Sequence, residues 1–322
     1  MSFSNFWAHE PSKSTCEVDS KLKVAKISDM HCHLRQGPML ESVVPLVVAG
    51  GADTILVMPN LIPPLVNTDQ VVQYRDDILK YEPNLQLLMT LYFNKDLTRD
   101  ELVKAKAHGI YGVKLYPMGV TTNSQYGVSD LSQYSHIFAA IEETGLVLNL
   151  HGECPSSVPN TCVLNAEEKF LDTLVWLAKT FPRLKIVLEH ATTKAAVDCV
   201  KSHPRFFLGS DSAPHPKHSK MTNSPAAGVF TSPILLPLLV SIFDHLGCLP
   251  NLERFSYTNG RSFYGLDCSN PTYVTLVKQA SVVPTSYPTL LPTKTSSSEN
   301  ALPHSNDIVP FMAAQELPWS FE

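Results

Sequence analysis

Short apolar runs recur along the chain, and longer stretches with helical spacing separate them. Seven of these runs have the length of buried strands; they are residues 24–34, 54–60, 85–92, 111–117, 146–153, 185–191 and 206–214. Between them lie segments such as 165–182, in which Phe170, Leu174, Leu177 and Phe181 recur at helical intervals. Strands that alternate with helices pair in parallel and are covered on both faces. The pattern predicts an α/β fold, and the chain length fits a TIM-type (β/α)8 barrel.

The predicted strands number one fewer than a closed barrel of this type requires. Between the runs 185–191 and 206–214 the chain has space for one helix, over 193–204, and for no further strand. We therefore expect a barrel that is missing or distorted at strand 7.

The rest of the chain is expected to complete one domain, 1–322, rather than to form a second one. Residues 224–247 predict a loop followed by a helix, and 251–266 predict a helical pair. Residues 281–305 are rich in Pro, Ser and Thr, which is typical of an exposed loop. The last segment, 306–322, is expected to pack back on the barrel.

Composition narrows the classes of function. The 322 residues are 44% hydrophobic and 17% charged, so the chain can bury a sizeable core. The net charge of −5, without a basic block, argues against a nucleic-acid partner. No apolar run reaches the length of about eighteen residues needed to span a membrane, and residues 1–13 lack the pattern of a signal peptide. Seven cysteines without a Cys-x-x-Cys pair favour reduced thiols in a cytoplasmic protein.

Each apolar run becomes polar towards its C-terminal end, where the active site of such a barrel lies. Four imidazoles and a carboxylate among these end residues suit zinc or a similar metal. The complete set is His31, His33, Lys114, His151, His190 and Asp211.

The stretch DMHCHLRQG, residues 29–37, places His31, His33 and Arg35 at alternate positions. On a strand these three side chains point to the same face, whereas Cys32 points to the other. One interpretation is a solvent-facing strand with incidental histidines. The other is a pair of metal ligands with an anion-binding arginine beside them.

Lys114 differs from the other strand-end residues because an ammonium group repels cations. It becomes a ligand only if its neutral amine is carboxylated by carbon dioxide. The resulting carbamate could bridge two metals ~3.5–4 Å apart, which share a hydroxide and polarise a carbonyl together. The alternative is an ordinary lysine whose stem is buried and whose amine reaches solvent.

Six motifs now identify a family resemblance. In chain order they are DMHCHLRQG, VMPN, GVKLYPMGVTTNS, LNLHGE, VLEHATT and GSDSAPHPKH, which lie within residues 24–220, and FYGL and VPFMA extend the match towards the C-terminus. The chain resembles the amidohydrolase superfamily and, within it, the dihydroorotases of the single-function type found in fungi and many bacteria. Members form a TIM-type barrel and interconvert dihydroorotate and carbamoyl-aspartate in pyrimidine synthesis.

The resemblance implies a role for each candidate residue. His31 and His33 would bind one zinc ion together with Asp211, while His151 and His190 would bind a second. Carboxylated Lys114 would bridge the two ions. Asp211 would also take a proton from the bridging hydroxide and return it to the leaving nitrogen.

The resemblance also implies how the substrate is held. Arg35 and Asn60 look like the clamp for the substrate carboxylate, with His215 beside them. Thr121 and Thr122 match a mobile loop that closes over the substrate. Members of the family are often dimers, so a homodimer is a further expectation.

The chain departs from the family at the position where the strand count fell short. Family members carry roughly fifty more residues between the sixth-strand histidine and SDSAPH, enough for a further strand and helix. Three hypotheses follow: an active dihydroorotase, a dihydroorotase-like protein without catalysis or with impaired catalysis, and a related cyclic-amide hydrolase such as a hydantoinase. The MPN and GVTTNS segments favour the dihydroorotases over the hydantoinases.

Overall fold

The computed structural model describes residues 20–120, 124–128, 130–200, 206–223, 225–290 and 306–322. In these residues the strands are β1 (Lys21–Ala25), β2 (Ile27–Cys32), β3 (Ala52–Val57), β4 (Gln86–Tyr92), β5 (Gly112–Leu115), β6 (Val147–Leu150), β7 (Lys185–Leu188), β8 (Tyr273–Val277), β9 (Ser281–Val282), β10 (Glu316–Leu317) and β11 (Ser320–Phe321).

Helices alternate with the strands through the first two thirds of the chain. They are α1 (Pro38–Ala49), α2 (Thr68–Leu79), α3 (Arg99–Ala107), α4 (Ser135–Thr144), α5 (Ala166–Thr180), α6 (Lys194–Val200), α7 (Lys217–Lys220), α8 (Leu235–His245) and α9 (Asn259–Tyr264). A π-helical turn, Arg254–Thr258, leads into α9. Side-chain caps begin two of the helices: Asn67 accepts from the Gln70 N–H before α2, and Thr98 accepts from the Glu101 N–H before α3.

Strands β2 to β7 follow one another in chain order in a six-stranded sheet. The pairs from β4 to β7 are parallel, with Thr90 opposite Gly112, Gly112 opposite Val147 and Val147 opposite Lys185. Strands β5 and β6 are buried along their whole length, as is typical of parallel strands covered on both faces. The predicted alternation of strands and helices is therefore confirmed over this region.

β7 differs from its neighbours in burial. Lys185 is exposed, and Ile186, Val187 and Leu188 are each partly exposed. Among the strands that the structure describes, β7 is hydrogen-bonded to β6 alone and ends the sheet. An edge strand with this apolar sequence is unusual, because natural sheets generally protect such edges.

The chain separates into two compact units. The first comprises the described residues within Met1–Ile55, Tyr81–Gln86 and Phe206–Glu322, and the second comprises those within Leu56–Lys80 and Leu87–Arg205. In the first unit the backbone N–H of Met30 donates to Leu208 O, and the N–H of His33 donates to Ser212 O, both at 3.0 Å. These bonds join the segment after residue 206 to β2.

Two predicted strands differ from those observed. The run 24–34 divides at Lys26 into β1 and β2, because β1 pairs antiparallel with β8 in a separate sheet. The run 206–214 forms only isolated bridges, such as Cys32 with Ser212. Its backbone does not stay extended, because Asp211 has a φ of 48°.

The C-terminal region also differs in part from the prediction. The predicted loop 281–305 begins with β9, which pairs with β10, and residues 291–305 lie outside the described part. In the first unit, apolar side chains from α8, from the residue before it, from the residue after β9 and from the last segment share one cluster: Ile234, Leu238, Val283, Met312 and Leu317. This cluster explains the burial of Val283 next to a stretch whose composition predicts exposure.

The described residues can be searched for membrane-spanning helices and for disulfides. None of their helices is both long and apolar enough to cross a membrane. Their cysteines, Cys32, Cys154, Cys162, Cys199, Cys248 and Cys268, form no disulfide.

Candidate active site

Three potential metal ligands converge in the first unit. His31 Nε2 and His33 Nε2 lie 3.3 Å apart, and Asp211 Oδ1 lies 3.3 Å from the first and 3.1 Å from the second. A tetrahedral zinc ion with bonds of ~2.0–2.1 Å separates its ligand atoms by about 3.3–3.4 Å. The triangle of donor atoms therefore has the size of one face of such a coordination sphere.

The protonation of the triangle suits a cation. Burial lowers the pKa of His33 to about 3, more than the hydrogen bond to Asp211 raises it, so the imidazole is neutral near pH 7. For Asp211, burial alone would raise the pKa, but hydrogen bonds from His31 and His33 outweigh it and hold the pKa below its usual range. A neutral imidazole and an ionised carboxylate are the forms that bind metal.

A fourth side chain joins the two segments that carry these ligands. Asp29 accepts from the Ser210 N–H at 2.8 Å, from Ser210 Oγ at 2.5 Å and from the His31 N–H at 3.2 Å. Burial raises the pKa of Asp29 to about 6, despite the hydrogen bonds from Ser210. Sequence reasoning missed this contact, although Asp29 shares the alternation of His31 and His33 and the motif quoted above includes it.

Arg35 and His215 form a second group in the same unit. Arg35 Nε donates to Pro214 O at 2.8 Å, and Nη2 lies 2.9 Å from His215 Nε2. Burial, with help from the Arg35 charge, lowers the pKa of His215 to about 4, so His215 accepts this bond as a neutral ring. The predicted alternation does not extend to Arg35, because β2 ends at Cys32 and Arg35 has a φ of 64°.

In the second unit Lys114 is completely buried on β5. Its Nζ forms an ion pair with Glu189, whose side chain is 2% exposed, and Asn149 Nδ2 donates to Glu189 Oε1 at 3.2 Å. The same Nζ lies 4.7 Å from the centre of the Tyr116 ring. The interpretation of Lys114 as a lysine whose amine reaches solvent is therefore wrong.

His151 and His190 approach each other in this second unit, beyond the ends of β6 and β7. Their ring centroids lie 4.5 Å apart, with the planes at 61°. His151 Nε2 also lies 3.0 Å from Glu153 Oε2, and the resulting hydrogen bond lowers the pKa of Glu153. The Tyr116 ring lies 6.0 Å from the His151 ring, so Lys114, His151 and His190 belong to one cluster.

Three predicted substrate-binding residues remain: Asn60, Thr121 and Thr122. Asn60 is buried in the second unit, three residues beyond the end of β3. Thr121 and Thr122 lie outside the described residues. Each unit thus contains part of the predicted set: His31, His33, Asp211, Arg35 and His215 lie in the first, and Lys114, His151, His190 and Asn60 lie in the second.

The donor chemistry of the first unit fits a zinc ion. The His33 Nδ1 atom is buried without a hydrogen-bond partner among the described residues, and its Nε2 faces His31 and Asp211. Two imidazole nitrogens and one carboxylate oxygen are typical protein ligands of zinc.

Comparison with known proteins gives the family. The chain matches no family profile. It is 38% identical over 348 residues to the probable dihydroorotase of Schizosaccharomyces pombe, and the match covers 92% of this chain and 98% of that protein. The chain belongs to the dihydroorotase family.

Solved structures agree with this dihydroorotase-family assignment. The dihydroorotase of Saccharomyces cerevisiae, in complex with 5-fluoroorotic acid, matches with a TM-score of 0.84 and 33% identity over 94% of this chain and 98% of that one. The Campylobacter jejuni dihydroorotase matches with a TM-score of 0.80 and 32% identity over 96% and 100%. The predicted fold class, the TIM-type barrel of the amidohydrolases, is confirmed by these dihydroorotases, and the hydantoinase alternative is not favoured.

Proposed function

We propose that this chain catalyses the dihydroorotase reaction, the reversible hydrolysis of the ring amide of dihydroorotate to N-carbamoyl-aspartate. The observation that carries the proposal is the triangle of His31, His33 and Asp211 in a member of this family. The yeast relative binds 5-fluoroorotic acid, an orotate analogue, which supports a substrate of that ring type. The reaction would serve pyrimidine synthesis in the cytoplasm, and a homodimer is proposed from the family alone.

The proposed cofactor is a pair of zinc ions. His31, His33 and Asp211 would hold one ion, His151 and His190 the other, and Lys114 would hold both as a carbamate. When bound, the ions would polarise the amide carbonyl and make water more acidic. The position of Lys114 supports this role, because it belongs to one cluster with His151 and His190.

Asp211 is the proposed proton carrier. The carboxylate is ionised near pH 7, as an aspartate ordinarily is, so it has a lone pair with which to accept a proton from the attacking water. As the ring C–N bond breaks, the leaving nitrogen needs a proton, which Asp211 returns. The reverse reaction uses the same two transfers in the opposite order.

The substrate carboxylate is assigned to Arg35, Asn60 and His215, with Thr121 and Thr122 closing over it. The contacts of Arg35 with Pro214 O and His215 orient the guanidinium. A planar guanidinium can donate two parallel hydrogen bonds to a carboxylate.

The test of function is ring opening by the purified chain. Turnover of dihydroorotate is expected with zinc and bicarbonate, loss of turnover after treatment with a chelator, and recovery when zinc is returned. Absence of turnover in a chain that carries its full metal content would reject the proposal. It would instead favour the alternative of a dihydroorotase-like protein without catalysis.

The alternative of a protein without catalysis is tested because residues of the barrel are predicted to be missing. The match to the S. pombe protein spans 348 positions, more than the 322 residues of this chain, so the relative contains residues without a counterpart here. That the missing residues lie before SDSAPH stays a prediction. The partly exposed apolar side chains of β7 support it, because β7 pairs with β6 alone among the described strands and a further neighbouring strand would cover its other edge.

Arg35 gives a prediction about substrate binding. In Arg35→Lys the charge remains but the planar fork is lost. A charge-assisted hydrogen bond contributes about 1.5–3 kcal/mol, so KM for dihydroorotate is expected to rise by about 10–100-fold at constant metal content. Arg183→Lys is the control, since the Arg183 side chain is 82% exposed. Equal KM values for both variants would contradict the carboxylate clamp.

A further inference from the structure

A buried carboxylate on α5 holds the turn that follows His190. Glu167 lies in the first turn of α5 and is 7% exposed. Its oxygens accept the Thr192 N–H at 2.9 and 3.1 Å and the Thr193 N–H at 3.3 and 3.2 Å. Thr192 Oγ1 adds a hydrogen bond of 2.6 Å to Oε2. Two consecutive backbone donors and one hydroxyl therefore converge on one side chain.

The segment that Glu167 holds contains a strained histidine. His190 has a φ of 37°, a left-handed conformation that is uncommon for residues other than glycine. Such a conformation persists only where the surroundings impose it. Before His190, the Glu189 N–H donates to Leu150 O at 3.1 Å. After it, the contacts of Thr192 and Thr193 with Glu167 anchor the turn to α5.

The side chain at position 167 is suited to this task by its charge and length. A buried carboxylate is unfavourable unless donors surround it, and here three donor groups do so. The first turn of α5 adds the favourable field of a helix N-terminus. Glutamine would keep the length but offer one acceptor oxygen, and its amide hydrogens would oppose the backbone N–H groups. Aspartate would be one methylene too short.

We propose that Glu167 is a positioning residue that fixes the orientation of the His190 imidazole for metal binding. The proposal rests on the proposed function, in which His190 is a zinc ligand. Glu167 itself does not touch the metal or the substrate. Groups that hold ligands in place typically change metal affinity by about 10–100-fold when they are removed. The expected effect of losing Glu167 falls in that range.

The experiment compares four variants of the full chain. Glu167→Gln removes the charge at nearly constant shape. Glu168→Gln is the matched control, because Glu168 is exposed in the same helical turn. Thr192→Val removes only the hydroxyl donor, while Thr192→Ser keeps it. Zinc affinity by chelator competition and the visible absorption of the cobalt-loaded protein are measured, with thermal unfolding of the metal-free chain as the control for folding.

The expected result is a loss of about 10–100-fold in zinc affinity and an altered cobalt spectrum in Glu167→Gln. Thr192→Val should lose affinity in the same direction, whereas Thr192→Ser and Glu168→Gln should stay within about twofold of the parent. Unchanged affinity and spectrum in Glu167→Gln would overturn the proposal. If Glu167→Gln does not fold, Thr192→Val decides, and parental affinity in that variant overturns the proposal.

His190→Ala separates this proposal from the proposed function. If His190→Ala binds less metal than the parent while Glu167→Gln matches the parent, the positioning role is wrong and the ligand role of His190 stands. If His190→Ala keeps the parental metal content and affinity, the ligand assignment fails, and the positioning role fails with it.

Discussion

Replacement of Lys114 by arginine is expected to remove metal from the chain while leaving the fold largely intact. The guanidinium stays protonated and cannot be carboxylated, so the proposed bridge between two ions cannot form. In the metal-free chain, where Lys114 is not carboxylated, the ion pair with buried Glu189 can persist in Lys114→Arg because the positive charge remains. The parent should contain about two zinc ions per chain, as a two-metal mechanism requires, and Lys114→Arg clearly fewer. Elemental analysis after dialysis measures the difference.

Lys114→Ala should lose both metal and stability. In the metal-free chain it leaves Glu189 buried without its cation, and breaking one side of a buried ion pair costs about 3–5 kcal/mol. A short carboxylic acid added to Lys114→Ala could occupy the vacated space and restore part of the metal content. Neither variant can form the carbamate, whereas only Lys114→Ala loses the ion pair with Glu189. An effect common to both variants therefore reports on the carbamate, and an effect confined to Lys114→Ala reports on the ion pair.

The control for both variants is Lys95→Ala, since the Lys95 side chain is 79% exposed. A carbon-13 carbamate signal after incubation with labelled bicarbonate should appear in the parent and in Lys95→Ala, but in neither Lys114 variant. Parental metal content in Lys114→Arg would show that the centre does not depend on a carbamate, and the two-metal proposal would then be wrong.

The second large effect is expected for Asp211→Asn. The amide can still accept a hydrogen bond, but it cannot carry a proton between water and the leaving nitrogen. General acid–base catalysis contributes about 10²–10⁴-fold, so kcat should fall by about that factor or more, in ring opening and in ring closure alike. Rates in both directions, measured beside metal content, check this expectation.

Metal content separates the two roles assigned to Asp211. Loss of rate with retained zinc indicates the proton carrier, whereas loss of both indicates that the carboxylate acts mainly as a ligand. Asp267→Asn is the matched control, because Asp267 is an exposed carboxylate in a loop. A kcat within about tenfold of the parent would contradict the role of Asp211 in proton transfer.

Much of the site could be predicted because local patterns determine it. The alternation of His31 and His33 follows from strand geometry, and the structure brings their Nε2 atoms within 3.3 Å. The recurrence of polar residues at strand ends follows from the direction of parallel strands, which also explains why Lys114 and His151 lie in one cluster. These inferences need only the spacing of polar and apolar residues along the sequence.

Other features depend on contacts between distant segments, which periodicity does not report. The break at Lys26 exists because Thr272 O accepts its N–H, and Thr272 is far away in sequence. Glu167 lies in the polar first turn of a helix, and the residues next to it in sequence do not indicate that Thr192 is its hydrogen-bond partner. The alternating pattern of residues 29–37 predicts a continuous strand, so it does not predict the positive φ of Arg35.

Among the described strands β7 is hydrogen-bonded to β6 alone, and this bears on how the proposed metal centre would be held. A strand secured along one edge opens more readily than its neighbours, since local opening follows from few buried contacts. β7 runs directly into Glu189 and His190, so an opening of the strand would move these residues as well. An ion that binds only the closed form lowers the population of the open form. If His190 binds zinc as proposed, metal affinity and resistance of this edge to opening are linked in one equilibrium, and amide exchange along Ile186–Leu188 is expected to slow when zinc is added.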